Sequence, residues 1–483
     1  MPRTHTLTLV LLLSMAPFLP VAGASFPETT IDSGPVTAIG ATVAADSSVR
    51  IALIRLDDTL RLLRSRDFGR TWQPERQLAL GSSVRKLQLL APKFDSGTLY
   101  IFLLTSANGG DVVLWRVGPD TASALLPVSV GPDTIDDFSA AIAPEQRYYL
   151  YCVYANEHRA GRTGALVRSG DHGASWGIGT EFWNCWDPQL LATNGSVLHA
   201  VWRYAIGGTQ IHHAFNHHYG APRYWSTTRI IVSGPNPVAS PLVVLADTGG
   251  EYWSTAWTFY TVARHDTMSR EVEYAWSPSN GDWWSTKHPL GNTFVEQWPA
   301  DAAVDPNGPG GFAGVCYFSG GIRSDDSLDL YWQSANIYDP QRWTRPVKLN
   351  HERVTAAVRP KLLYVPGSPW RGPLVLYADI YGVLHGTATW IDEDDSPAPA
   401  ESAALAGLPS CLRAGSRLTV AVPEPGRYSL MLFDAAGRAG ATLHAGELTS
   451  GNHDFALPAL AAGTYFIRLT GPATTTRRIT ILP

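Results

Sequence analysis

A chain of 483 residues with 37 Lys and Arg against 42 Asp and Glu, a formal net charge of −5, has neither the basic excess nor the basic runs that track nucleic-acid phosphates. Charged residues make up 16% while Trp, Tyr and Phe reach 11%, with 44 Gly and 35 Pro, which excludes a disordered chain and suits a β-protein with many tight turns. This length exceeds what one core serves, so two domains or a large repeat are expected.

In chain order, residues 1–24 come first: Arg3, an apolar run from Leu7 to Leu19, and Ala22-Gly23-Ala24 have the layout of a cleavable secretory signal. No later stretch approaches the roughly 18 uninterrupted apolar residues of a membrane span, so no transmembrane segment is expected after signal removal. From residue 30 onward, aromatic and β-branched strands recur as VRIALIRL (49–56), LYIFLLTS (99–106), YYLYCVYA (148–155), HAVWRY (199–204), STAWTFY (254–260), FAGVCYFS (312–319) and PLVLYADI (373–380). Units of about 40 to 60 residues, each with about four strands and no convincing helix, are the pattern of propeller blades. The fold expected for residues 25–390 is therefore an all-β propeller, with seven blades favoured and six or eight left open.

Two markers set the period. The octet Ser65-Arg66-Asp67-Phe68-Gly69-Arg70-Thr71-Trp72 returns as Ser169-Gly170-Asp171-His172-Gly173-Ala174-Ser175-Trp176, and a third copy keeps Ser277, Gly281 and Trp284 with Ser279 in place of Asp. The second marker is a residue followed by Pro and an apolar strand, at Asp187-Pro188, Ser240-Pro241, Trp298-Pro299 and Arg359-Pro360, the prolines 53, 58 and 61 residues apart. In the octet, glycine supplies the positive φ of a tight turn, the carboxylate accepts backbone N–H groups, and Trp covers the turn. The octet resembles the Asp-box, or BNR, repeat of sialidase-like propellers. That resemblance implies that the box lies at the blade periphery and is structural.

After Trp390 the pattern gives way to an acidic Pro/Ala linker at 391–407, and residues 408–483 read as a small β-sandwich of short alternating strands. Asp434-Ala435-Ala436-Gly437, then Gly451-Asn452-His453, then Leu460 to Leu469 with Gly463 and Tyr465, resemble the C-terminal sorting domain of type IX secretion. The resemblance implies passage through the periplasm to a secreted or outer-surface form, with the type IX machinery as partner. The chain departs from it in ending on Arg477-Arg478 and in lacking the opening Pro-Asn-Pro-like element. An ordinary carbohydrate-binding sandwich is the competing reading.

Propeller ligands sit where the innermost strands converge, so the residues before each x-Pro strand are the ones to inspect: Asp187, Ser240, Trp298 and Arg359, with Glu296 and Asp136-Asp137 nearby; Asp187, Trp298, Arg359, Glu296 and Arg203 are the ligand-binding candidates. No catalytic residue is assigned. The resemblance to sialidases implies a first arginine in an aromatic-Arg-Ile/Leu-Pro element early in the propeller, and none exists; Arg55 is followed by Leu56 and Asp57. No metal and no cofactor are expected, the His212-His213 and His217-His218 pairs and Asp325-Asp326 reading better as strand, turn and loop positions. Of four cysteines, Cys152 with Cys185 is the single disulfide entertained, against buried thiols acting as small hydrophobes. The expected function is an exported surface propeller binding a glycan or a protein. The alternatives are a glycoside hydrolase or lyase on this fold, against which the missing arginine element argues, and a structural surface protein.

Overall fold

The computed structural model describes residues 28–388 and 411–482, apart from 94, 96, 108–109, 130–133, 144–148, 159–160, 194–196, 205–207, 248–253, 265–269, 280, 291–295, 306–311, 321–327, 337–339, 342, 345, 367, 369–371, 414–415, 423–424, 435–438, 459 and 471–473. The signal segment, the linker, Asp325-Asp326 and Gly437 lie outside the described residues. By internal contacts the chain divides into Met1–Trp390 and Ile391–Pro483.

The first unit is a seven-bladed β-propeller. Six blades are four-stranded antiparallel sheets whose strands follow chain order, at residues 36–79, 84–127, 134–183, 185–233, 238–290 and 296–348. Their first strands touch one another around the ring and form the channel wall. Blade 7 is built differently. Its three inner strands lie at 361–388, and its outermost strand is Glu28–Asp32 from the start of the propeller, paired antiparallel with Leu384–Ala388. Closure thus joins the two ends of the repeat by backbone hydrogen bonds and covers the third strand of blade 7, which would otherwise be an open edge.

The burial explains why the second strands read as unbroken apolar runs. Leu99–Thr105 is buried at every position, because both faces of a mid-blade strand pack against neighbouring blades. Each of the seven blade interfaces has its own core cluster, among them Ile101, Leu103 and Trp115 with Ala52 and Leu60 between blades 1 and 2, and Leu374 and Leu376 with Ile51 and Leu53 across the closure. Cys152 belongs to the cluster between blades 2 and 3, and Cys185 to that between blades 3 and 4. Both are free thiols, so the disulfide entertained above is not formed: the two side chains face different interfaces. Burial pushes the Cys152 thiol up, which suits an inert core residue.

The three octets occupy equivalent hairpins, between the third and fourth strands of blades 1, 3 and 5, at the outer part of the ring. In the second copy Ser169 Oγ donates to Asp171 Oδ1 at 2.8 Å and accepts from Gly173 N at 2.8 Å, while Asp171 accepts from Ser175 N at 2.9 Å and Ser175 Oγ at 2.6 Å. The first copy repeats these bonds through Ser65, Asp67, Gly69 and Thr71. In the third, Ser279 Oγ takes over the carboxylate's role by accepting Trp283 N at 3.0 Å. Trp72, Trp176 and Trp284 each pack into the interface with the preceding blade. The turn therefore fastens its blade to the one before.

The hydroxyl and N–H of Ser175, and then Ser169, hold the Asp171 carboxyl down to about 2, against an ordinary value of 3.8. A group depressed on folding contributes stability that is present above the ordinary value and lost as pH falls through the folded one. Asp171→Ala is expected to cost about 1 kcal/mol at neutral pH, the low end because the turn is solvent-exposed. The gap between the wild-type and variant urea midpoints should close between pH 4 and pH 2; a gap that persists at pH 2 would assign the loss to packing.

The second unit holds a five-stranded sheet in the order Cys411–Arg413, Thr474–Leu482, Gly463–Thr470, Gly426–Asp434, Ala439–Leu448, and a two-stranded ladder of Arg417–Val422 with Gly451–Ala456. Leu418, Val420, Leu430, Leu432, Ile467 and Leu469 are buried in a core of its own. The first pairing of the five-stranded sheet is parallel and the rest antiparallel.

Candidate functional site

The inner strands share a defect that shapes the channel. Six of the seven carry a β-bulge: at Thr37, Arg85, Asp136, Asp187-Pro188, Ser240-Pro241 and Ala300, in blades 1 to 6. A bulge leaves a residue unpaired and turns its side chain out of the ladder. In blades 1 to 5 the bulge lies near the start of the inner strand, so five re-aimed residues collect at one mouth of the channel. Four of them, in blades 1 to 4, line a cavity of about 550 Å³, whose wall includes Thr37, Arg85, Lys86, Asp136, Asp137, Trp186, Asp187, Arg203, Arg359 and Lys361, and which Ser240 of blade 5 does not reach.

The backbone here is strained. Asp187 and Ser240 have φ of 47° and 49°, a left-handed conformation that costs a non-glycine residue roughly 1–2 kcal/mol, and each precedes a proline, which disfavours helical backbone further. Asp187 is held in place by its side chain: Oδ2 accepts Arg203 Nε at 2.9 Å and the Ser240 N–H at 3.3 Å. Arg203 in turn lies over the Trp186 ring, 5.4 Å from its centroid. Across the mouth Lys86 Nζ pairs with Asp137 Oδ1 at 2.6 Å, and Arg85 donates to the Ile135 carbonyl at 2.5 Å. Burial, with some opposition from Asp137, pushes the Lys86 ammonium down, and the charges of Arg359 and Lys361 push the same way. Beneath Lys361 the buried Asp301 accepts Leu362 N at 2.8 Å, and burial raises its carboxyl.

Of the candidates read from the sequence, the structure brings Asp187, Arg203 and Arg359 together, with Asp136 and Asp137 beside them. It does not bring in Trp298 or Glu296. In blade 6 the bulge falls after Pro299 instead of before it, so Trp298 stays in register with Phe318 and packs on that ring at 5.6 Å, while Glu296 lies 3.8 Å from Arg270. Arg85, Lys86, Trp186 and Lys361 were missed. The signal that finds the first two is the apolar-x-x-apolar start shared by Val36 to Ile39, Val84 to Leu87 and Ile135 to Phe138, which marks the bulge in blades that lack the proline.

The histidine pairs hold the fold. His213 is buried, its Nε2 3.0 Å from His199 Nδ1, and burial keeps its ring well below the usual range and hence neutral. His212 Nε2 lies 2.9 Å from Gln210 Oε1. His217 and His218 sit in a variant of the octet turn, where Asn216 Oδ1 accepts from His218 N and Gly220 N at 2.8 and 3.1 Å. Among the described residues no three His, Cys, Asp or Glu side chains converge as metal ligands.

No protein-family model matches the chain, and no curated protein matches it by sequence. Solved structures do. A lectin from Burkholderia pseudomallei superposes with a TM-score of 0.52 at 13% identity, covering 74% of this chain and 95% of the lectin. An α-L-arabinofuranosidase from Fusarium graminearum matches with a TM-score of 0.44 at 14% identity, over 66% of this chain and 100% of the other. A sialidase from Streptococcus pneumoniae matches with a TM-score of 0.40 at 12% identity, over 77% and 70%. At these identities the likeness shows the propeller fold and nothing finer.

Proposed function

We propose that this chain is an exported surface propeller that binds a glycan in its central pocket. The observation that carries the reading is the convergence of strained, bulged inner strands on one polar cavity: backbone strain of this kind persists where the surroundings over-determine it, and it clusters at ligand sites. The cavity is in the size range of ligand sites, with fixed polar groups and one indole in its wall. The lectin on the same fold supports carbohydrate as the ligand class. Binding is favoured over hydrolysis because Asp137 and Asp187 are each engaged by a cation, Lys86 and Arg203, and because the arginine element of sialidases is absent.

In this reading the octets are Asp-boxes with a structural role. Residues 1–24 direct export, 391–407 separate the domains, and 408–483 form the type IX sorting domain that delivers the propeller to the outer surface. A glycan array probed with residues 25–483 and with residues 25–401 tests both halves. The two proteins are expected to share one glycan profile, which Arg203→Ala should abolish by unpairing Asp187. The deletion should also end surface display in a host with the type IX machinery. Glycans retained only by the tail would make the sandwich the binding module and end the pocket assignment.

A further inference from the structure

Resting on that reading, we infer that the pocket selects an anionic saccharide, its carboxylate or sulfate seated between Arg359 and Lys361. The wall holds five cations, Arg85, Lys86, Arg203, Arg359 and Lys361, against three carboxylates, Asp136, Asp137 and Asp187, in a chain whose overall charge is −5. The excess is not spread evenly. Lys86 is matched by Asp137 and Arg203 by Asp187, at 2.6 and 2.9 Å. Arg359 and Lys361 have no ion-pair partner among the described residues.

These two side chains flank Pro360 at the entry to the inner strand Lys361–Leu363, two residues apart and so on one face of the chain. Both reach the cavity. Asp301, whose charge acts on both, lies buried behind them and already accepts the Leu362 N–H. Lys86 stands close enough for both charges to disfavour its ammonium. Three cations of the cavity wall thus act on one another, and of the three only Lys86 is held in an ion pair among the described residues. An anion between Arg359 and Lys361 relieves that repulsion and gains charge-assisted hydrogen bonds, with the planar guanidinium able to take two oxygens at once. A neutral sugar at the same place leaves the crowding as it is.

Isothermal titration of the mature full chain with trigalacturonate, its neutral methyl ester, a sulfated galacto-oligosaccharide and inorganic sulfate tests this. The expected result is binding of the carboxylate or sulfate form, at least tenfold weaker binding of the ester, and a further tenfold or larger loss in Arg359→Gln and in Lys361→Gln. Both variants should melt with the wild type, since neither side chain holds an ion pair in the fold. Ester bound as tightly as acid, with both variants unaffected, would overturn the inference and leave glycan binding standing. Sulfate bound through Arg359 and Lys361, with every saccharide refused, would support the anion site and end the glycan reading. Failure of all four probes to bind would overturn the inference.

Discussion

His385→Ala is expected to cost about 1 to 3 kcal/mol, the range for leaving a buried group without its hydrogen-bond partner, and to loosen the ring at its closure before anywhere else. His385 Nδ1 lies 3.1 Å from Glu28 Oε1 and Nε2 lies 3.2 Å from Asp379 Oδ2, in a cluster where the three side chains are 9%, 13% and 6% exposed. The Nε2 contact is a hydrogen bond to Asp379, while Nδ1 lies beside Glu28 without hydrogen-bond geometry. Glu28 is the residue that ties the N-terminal strand to blade 7: it also accepts Tyr377 OH at 2.5 Å and the His351 N–H at 3.2 Å. Asp379 is fixed by the N–H groups of Tyr381 and Val383 at 2.8 and 2.9 Å. Removing the imidazole takes a hydrogen-bond partner from Asp379 and the ring's packing from Glu28, at the one place where the ring is joined by strands from its two ends. Hydrogen exchange should show the amides of Thr29 and Thr30 released first, with the inner strands of blades 2 to 5 still protected. Adding Glu28→Gln and Asp379→Asn to the variant should return much of the loss. Equal exchange around the ring, or no loss of stability, would show that closure does not depend on the cluster.

That closure was not legible in the sequence, and the reason is physical. Glu28–Asp32 is five residues with one buried position, too short and too exposed to show a period, and its partner lies more than 350 residues away. The blades were legible because their second strands are buried on both faces, and the octets because their turn needs the same few polar atoms each time. The site was half legible. Proline marks the bulge at Asp187 and Ser240, where it follows a left-handed residue, but at Trp298 the same dipeptide sits in regular pairing and the bulge moves to Ala300. In blades 2 and 3 the bulged residues, Arg85 and Asp136, have no proline, so their place depends on the register of a partner strand that sequence spacing alone does not report.

Gly281→Ala is expected to destabilise the propeller by about 2 to 5 kcal/mol, from two sources that can be separated. Gly281 has φ of 90°, where a side chain costs roughly 1–2 kcal/mol. Its missing side chain is also where blade 4 comes in: a Cβ would run into His213 Cε1, with Nε2 at 2.9 Å and Nδ1 at 3.0 Å. His213 cannot swing aside, because it is buried, stacked on His199 at 5.3 Å between centroids, and edged by Trp284 at 5.3 Å. Overpacking a fixed ring adds about 1–3 kcal/mol. The octet glycine is thus set by two demands at once, the turn's positive φ and the approach of the preceding blade, and Gly69 against Leu374 and Gly173 against Leu114 repeat the arrangement. In a His213→Ala background the clash is gone, so the further cost of Gly281→Ala should fall to the backbone part, about 1–2 kcal/mol. The difference measures the coupling between blades. Gly177→Ala, where a Cβ meets nothing within 4 Å, should change the urea midpoint little and serves as the control. If Gly281→Ala costs the same with and without the His213 ring, the glycine answers to the turn alone and the octet does not fasten one blade to the next.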